Sequence, residues 1–192
     1  AASPCSSSEA LAIDGYTVQT GAGEDLLELS VSSTLDSRNT TVEGVINSTI
    51  DLGEDNALAK ISAYWNGDSH ESDAVAMRNS TINLGTGNDL AIIQGQLRNS
   101  TLDGGSGSDG IKITGDYVNL SVRVLNQAAN HYRVRYTNSV DLQTSHEFEV
   151  LNTEDVRINN QAIGTLPVSS LQLMLAANAQ PAAFSSGAVV RP

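Results

Sequence analysis

The tripeptide Asn-Ser-Thr occurs at Asn47, Asn79 and Asn99, each time followed by an aliphatic residue, then Asp or Asn, then a glycine-containing loop. Written out, the units read NSTIDLGEDNALAKI from Asn47, NSTINLGTGNDLAII from Asn79 and NSTLDGGSGSDGIKI from Asn99. A fainter leading copy, YTVQTGAGEDLLEL, starts at Tyr16, and a half-copy, NLSV, starts at Asn119. A unit this short cannot bury its own apolar face, so copies must stack on one another and share a continuous core. Few other features constrain a fold as tightly.

The intervals carry geometry. Asn47 to Asn79 is 32 residues, and the steps to Asn99 and Asn119 are 20 each, while Asp25, Ala57, Asp89 and Asp109 keep the matching 32, 32 and 20. One interval is one coil, and the 12 extra residues of the long coils fall in excursions near Ser33 to Gly44 and Tyr64 to Met77. After each loop the residues alternate with period two, the signature of a half-buried strand. Leu27 and Leu29, Ala59 and Ile61, Ala91 and Ile93, and Ile111 and Ile113 are expected inward, with Glu28, Lys60, Ile92 and Lys112 outward. Parallel stacking in register then sets Glu28 beside Lys60, a favourable neighbour pair. A second column, Val18, Ile50, Ile82, Leu102 and Val122, is expected to form the opposite wall. Two aliphatic walls joined by glycine-rich corners describe a flattened parallel solenoid.

Gly104-Gly105-Ser106-Gly107-Ser108-Asp109-Gly110-Ile111-Lys112 matches the nonapeptide G-G-x-G-x-D-x-hydrophobic-x at every defined position. The stretch Leu84 to Ile92 departs at the first glycine and in its small hydrophobic residue Ala91, and Thr20 to Glu28 departs at the first glycine alone. By these residues the chain resembles the hemolysin-type (RTX) calcium-binding repeat proteins. The resemblance implies a right-handed parallel β-roll or β-helix with Ca²⁺ held between the loops of consecutive coils. Ca²⁺ takes six to eight oxygens, which a short loop supplies only where glycines let its carbonyls converge. Carried over position by position, the implied ligand residues are Gly85, Gly87 and Asp89 facing Gly105, Gly107 and Asp109, with Gly21, Gly23 and Asp25 as an earlier copy. In Leu52-Gly53-Glu54-Asp55-Asn56-Ala57 the middle glycine is Asp55 and the ligand Asp is Ala57, which interrupts the row or alters its geometry. The family's second calcium edge carries Asn-Ser-Thr here, so calcium is expected on one edge only. The competing reading of each corner is a tight turn in which Asp caps its own backbone amides.

Charge placement agrees with a cation and disagrees with nucleic acid. The formal net charge is -12, from 22 acidic and 10 basic side chains, which repels a phosphate backbone. Aromatic residues make up only 4% of the chain, so small aliphatics must fill the interior. Cys5 is the single cysteine and cannot form an internal disulfide. No apolar run reaches the length of a membrane span, and residues 1–12 lack a signal peptide's basic and apolar blocks.

Other constellations are weaker. The Asn column at 47, 79, 99 and 119 also spells glycosylation sequons, but a ladder of stacked amides is the simpler expectation. The excursion holding Tyr64, Trp65, Asp68, His70 and Asp73 is the most plausible ligand-facing loop, for sugars or a second metal; the duller alternative is that its aromatics cover the flank and its acids stay solvated. No catalytic constellation stands out: Lys60 and Lys112 share a face without an acid–base partner, and His70, His131 and His146 sit in dissimilar contexts.

After Asn119 the repeat fades, and strands are expected at Tyr132 to Thr137, Glu147 to Leu151 and Val156 to Ile158, with a hairpin turn at 152–155. Such a segment suits a cap, which the last coil requires. The expected organisation is a leader at 1–13, a repeat array at 14–124, a β cap at 125–166, a short amphipathic helix at 167–179 and a flexible tail at 180–192. The fold class is all-β, a right-handed parallel β-solenoid with a C-terminal β cap and a short helix. The expected role is a calcium-stabilised structural or binding module at the cell surface or outside the cell, not an enzyme. A polysaccharide-processing β-helix, or the carbohydrate-binding module of one, is the alternative. Expected partners are calcium, polysaccharide or other protein subunits, with self-association through the solenoid ends or the helix.

Overall fold

A computed structural model describes residues 8–33, 40–66 and 73–163. Its strands come in successive tiers. The first holds β1 (Ser8–Asp14), β2 (Thr17–Gln19) and β3 (Asp25–Ser33), and the second β4 (Thr40–Ile46), β5 (Thr49–Asp51) and β6 (Ala57–Trp65). The third holds β7 (Asp73–Arg78), β8 (Thr81–Asn83), β9 (Thr86–Gly87) and β10 (Leu90–Gln94); the fourth holds β11 (Gln96–Arg98), β12 (Ser100–Asp103), β13 (Ser106–Gly107) and β14 (Gly110–Thr114). Beyond them come β15 (Val118–Asn126), β16 (His131–Thr137), β17 (His146–Leu151), β18 (Asp155–Ile158) and β19 (Gln161–Ala162). The described residues are all-β, in sheets that are mostly parallel.

The stacking obeys the repeat intervals. In one sheet β3, β6, β10 and β14 pair in parallel, setting Leu27, Ala59, Ala91 and Ile111 in one column and Leu29, Ile61, Ile93 and Ile113 in the next. Glu28 lies in register with Lys60. A second sheet stacks β2, β5, β8 and β12, aligning Val18, Ile50, Ile82 and Leu102. Apart from Val18, Leu27 and Leu29 in the first tier, these aliphatics are buried and form one continuous core. Each side chain packs on the equivalent one in the tier below, so columns of aliphatics fill the interior of these tiers.

Three expectations are corrected here. A third sheet, β1-β4-β7-β11, closes the gap that two walls would leave. Strands β1, β4 and β7 fall largely on residues read from the sequence as leader and as excursions, and Val42, Val45, Ala76 and Met77 join the core. Second, Val122 and Asn119 do not continue the columns. Leu102 is succeeded by Val150, because β17 pairs in parallel with β12, while β15 lies at the sheet's far edge, antiparallel to β16. Third, residues 152–155 are not a hairpin turn. They carry the chain from β17 to β18, which sits in parallel on β14 in another sheet, so β17, the corner and β18 make a fifth tier. The intervening β15 and β16 add an antiparallel extension whose Tyr136 packs edge-on against Tyr117 and Phe148, with centroids 4.5 and 6.3 Å away. The helix placed at 167–179 and the tail at 180–192 lie outside the described residues.

The Asn column is an amide ladder. Asn99 Nδ2 donates to Asn79 Oδ1 at 2.9 Å, Asn79 Nδ2 to Asn47 Oδ1 at 3.2 Å, and Asn47 Nδ2 to Asp14 Oδ1 at 2.9 Å. Asn47, Asn79 and Asn99 have positive φ, 47°, 51° and 46°, a conformation Asn tolerates better than other L-residues with a β-carbon. Asn119 has the same backbone but donates to Thr137 Oγ1, outside the ladder.

Candidate functional site

The glycine-rich corners stack as closely as the strands they join. Gly53 O accepts the amide of Thr86 at 3.0 Å and Gly85 O that of Ser106 at 2.9 Å. A β-carbon on Gly85 or Gly105 would lie 1.8 or 1.9 Å from the carbonyl oxygen of the preceding tier's glycine, so nothing larger than glycine fits this column. Thr86 and Gly87 pair with Ser106 and Gly107. The two corners expected to face each other therefore do so residue for residue.

The first motif position is not uniformly glycine, and the structure explains why. Leu52 and Leu84 occupy it with side chains fully buried. At Gly104 an added β-carbon would meet Asn152 O at 2.2 Å, because the fifth-tier corner closes over it.

The aspartates obey a different rule from the turn-capping alternative. Asn83 Oδ1 and Asp103 Oδ1 each accept the amide two residues on, from Gly85 at 3.1 Å and Gly105 at 3.0 Å, and thereby cap their own turns. Asp89 and Asp109 instead reach between tiers. Asp89 Oδ1 accepts the amide of Ala57 at 2.6 Å, and Asp109 Oδ1 accepts that of Asp89 at 2.9 Å. Glu154 Oε2 completes the series by accepting the amide of Asp109 at 2.8 Å. Each of these carboxylates thus spends one oxygen on its neighbouring tier. The other oxygen of Asp89 and Asp109, like Oδ2 of Asp25, is buried with no hydrogen-bond partner.

A buried carboxylate oxygen without a partner resists ionisation. Burial pushes the Asp109 carboxyl up to about 6, against the opposing effect of the Asp89 amide and with further upward pressure from Asp89, Glu154 and Asp103. Burial likewise raises Asp89, while the Ala57 amide pulls it down. Asp25, beside Ala57 in register, belongs to the first tier, and Gly23 N donates to Glu54 O at 3.3 Å there. Among the described residues no three His, Cys, Asp or Glu side chains converge on one point. A cation at these corners would therefore draw most of its oxygens from backbone carbonyls, each of which has a second lone pair.

The broken second corner keeps its shape at a cost. Asp55 holds the position of a motif glycine with φ of 70°, and Ala57 offers no carboxylate, so the column of acids is interrupted between Asp25 and Asp89.

The excursion divides. Tyr64 and Trp65 end β6 and line an open groove, whereas Asp73 begins β7 and forms an ion pair with Arg98. Asp68 and His70 lie outside the described residues. Glu154, Asn152 and Thr153 are the corner residues that sequence reasoning missed. Their signal was the alternation of Val150, Val156 and Ile158 around an acid, but the spacing differs from every earlier repeat. No family model, curated protein or solved structure matches this chain.

Proposed function

We propose that this chain is a calcium-stabilised right-handed parallel β-solenoid of the hemolysin-type kind, working outside the cell or at its surface as a structural or binding module. The observation that carries the reading is the pair of buried, unpartnered carboxylate oxygens on Asp89 and Asp109, in consecutive tiers of stacked glycine corners. Hard, anionic oxygens withheld from water suit a hard divalent cation, and the donor set fits Ca²⁺ better than a nitrogen- or sulfur-seeking metal. Asp89 and Asp109, with backbone oxygens of Gly85, Gly87, Gly105 and Gly107, would hold such an ion; Asp25, Gly21 and Gly23 would supply a second, less complete site. The ion would neutralise carboxylates whose burial otherwise opposes their charge.

Thermal unfolding followed by circular dichroism tests the reading. Calcium should raise the midpoint and a chelator should lower it, with Asp109→Ala abolishing most of the difference. At calcium a hundredfold above Kd, one site contributes about 2.7 kcal/mol. For a chain of this length that corresponds to about 5–10 °C. A midpoint indifferent to both reagents overturns the calcium assignment.

A further inference from the structure

The tiers differ in length, and the difference leaves a step. Strand β6 pairs with β10 only as far as Ser62, opposite Gln94, yet it continues through Ala63, Tyr64 and Trp65. On its other side these residues stay paired with Val31, Ser32 and Ser33 of β3. The shorter third and fourth tiers turn at Gly95 and Gly115. These positions carry no side chains: a β-carbon on Gly95 would stand 2.9 Å from Ala63 O, and one on Gly115 would stand 2.9 Å from Gly95 O. The result is a bare backbone floor beside the overhanging end of β6. Across it Ser139 and Val140 form the opposite wall, pinned by Ser139 N donating to Asp116 Oδ2 at 2.7 Å. The groove between holds about 330 Å³, at the lower end of the ~300–1,000 Å³ typical of small-molecule sites.

Its lining has a definite chemistry. Trp65, partly buried and packed against the core, supplies flat apolar surface with a polar tip, the Gln94 side chain is exposed, and among the described residues Asp116 is the only charged side chain on the wall. Gln96, buried beneath, is already engaged through Oε1 by Arg98 at 2.9 Å and Asn138 at 3.2 Å. We propose that this groove binds an uncharged saccharide, with a pyranose face on Trp65 and ring hydroxyls on Gln94 and Asp116. A sugar ring offers the apolar face and hydroxyl edge that this lining complements. A carboxylate on the wall, with no basic side chain beside it among the described lining residues, disfavours uronate or sulfated chains. The assignment is independent of calcium at the glycine corners.

Trp65 is the only tryptophan in the chain, so its fluorescence reports directly on the groove. Titration with cellohexaose, laminarihexaose and chitohexaose in calcium buffer should give a saturable change for at least one of them. Hexagalacturonate should bind at least tenfold more weakly. By calorimetry, Trp65→Ala should abolish binding and Asp116→Ala should weaken it about tenfold; Trp65→Phe, which keeps a ring, should retain folding and part of the affinity. The proposal is overturned if none of the three uncharged sugars gives saturation at millimolar concentration. It also fails if hexagalacturonate binds as tightly, or if Trp65→Phe and a folded Trp65→Ala both bind like the parent chain.

Discussion

Asp109 gives one carboxylate oxygen to the amide of Asp89 and keeps the other buried without a partner, and this division has a pH signature. Its folded-state pKa is pushed up to about 6 from an ordinary 3.8, chiefly by burial. The folded chain therefore holds this proton more tightly than the unfolded chain does. Without metal, the group's contribution to stability is fully present below about pH 4 and is lost as the pH rises through about 6. Calcium competes for the same oxygen, so its effect on the midpoint should be large at pH 7.5 and small at pH 5, measurable by calorimetry with and without chelator. Asp109→Asn should flatten both dependences. The glycine column makes a second claim at this scale. Gly105→Ala forces a β-carbon against Gly85 O and should cost upwards of about 2 kcal/mol in denaturant unfolding. Asp55→Gly works in the opposite sense: it relieves a left-handed backbone that an L side chain tolerates poorly, and should add about 1 kcal/mol.

Among the elements, the strands of the two walls were legible in the sequence because side chains alternate with period two and the stack preserves register. Ala59, Ala91 and Ile111 could be placed together from spacing alone. The third wall was not legible. Residues such as Thr40–Ile46 do not repeat the sequence of Asp73–Arg78, yet they lie in register with them, since a parallel pair asks for matching backbone bonds and a buried face, not for identical residues. The fifth tier was hidden for a similar reason. Its corner, Asn152-Thr153-Glu154, replaces glycines and aspartate by other means: Asn152 Nδ2 donates to Asp103 Oδ1 at 2.8 Å, and Glu154 reaches the amide of Asp109 with a longer side chain. An aromatic cluster of Tyr117, Tyr136 and Phe148 packs where the antiparallel extension meets the fifth tier. Phe148→Ala, at a site 1% exposed, should destabilise by about 3–5 kcal/mol in denaturant unfolding.

For the molecule as a whole, the two ends of the stack differ. At one end β15 to β19 cover the last tiers, and Tyr132, Tyr136, Phe148 and Ile163 are buried there. At the other, β1, β2 and β3 are the edge strands of all three large sheets, Leu11, Tyr16 and Leu26 are exposed, and Ile13, Val18, Leu27 and Leu29 are only partly buried. Opening energy tracks local burial and pairing, so hydrogen exchange should be fastest in the first tier and slowest in the third and fourth. Uniform protection from β3 to β14 would contradict that gradient. The repeat alone determined that the chain must stack, which aliphatics share a column, and that Asp89 and Asp109 stand in adjacent tiers, because spacing along the chain becomes position across the stack. Only the tertiary structure decided how the chain continues past the fourth tier, which carboxylate oxygens lose their partners, and where unequal tiers leave a groove. Those outcomes depend on burial and backbone approach between segments far apart in the chain, which no local pattern of residues encodes.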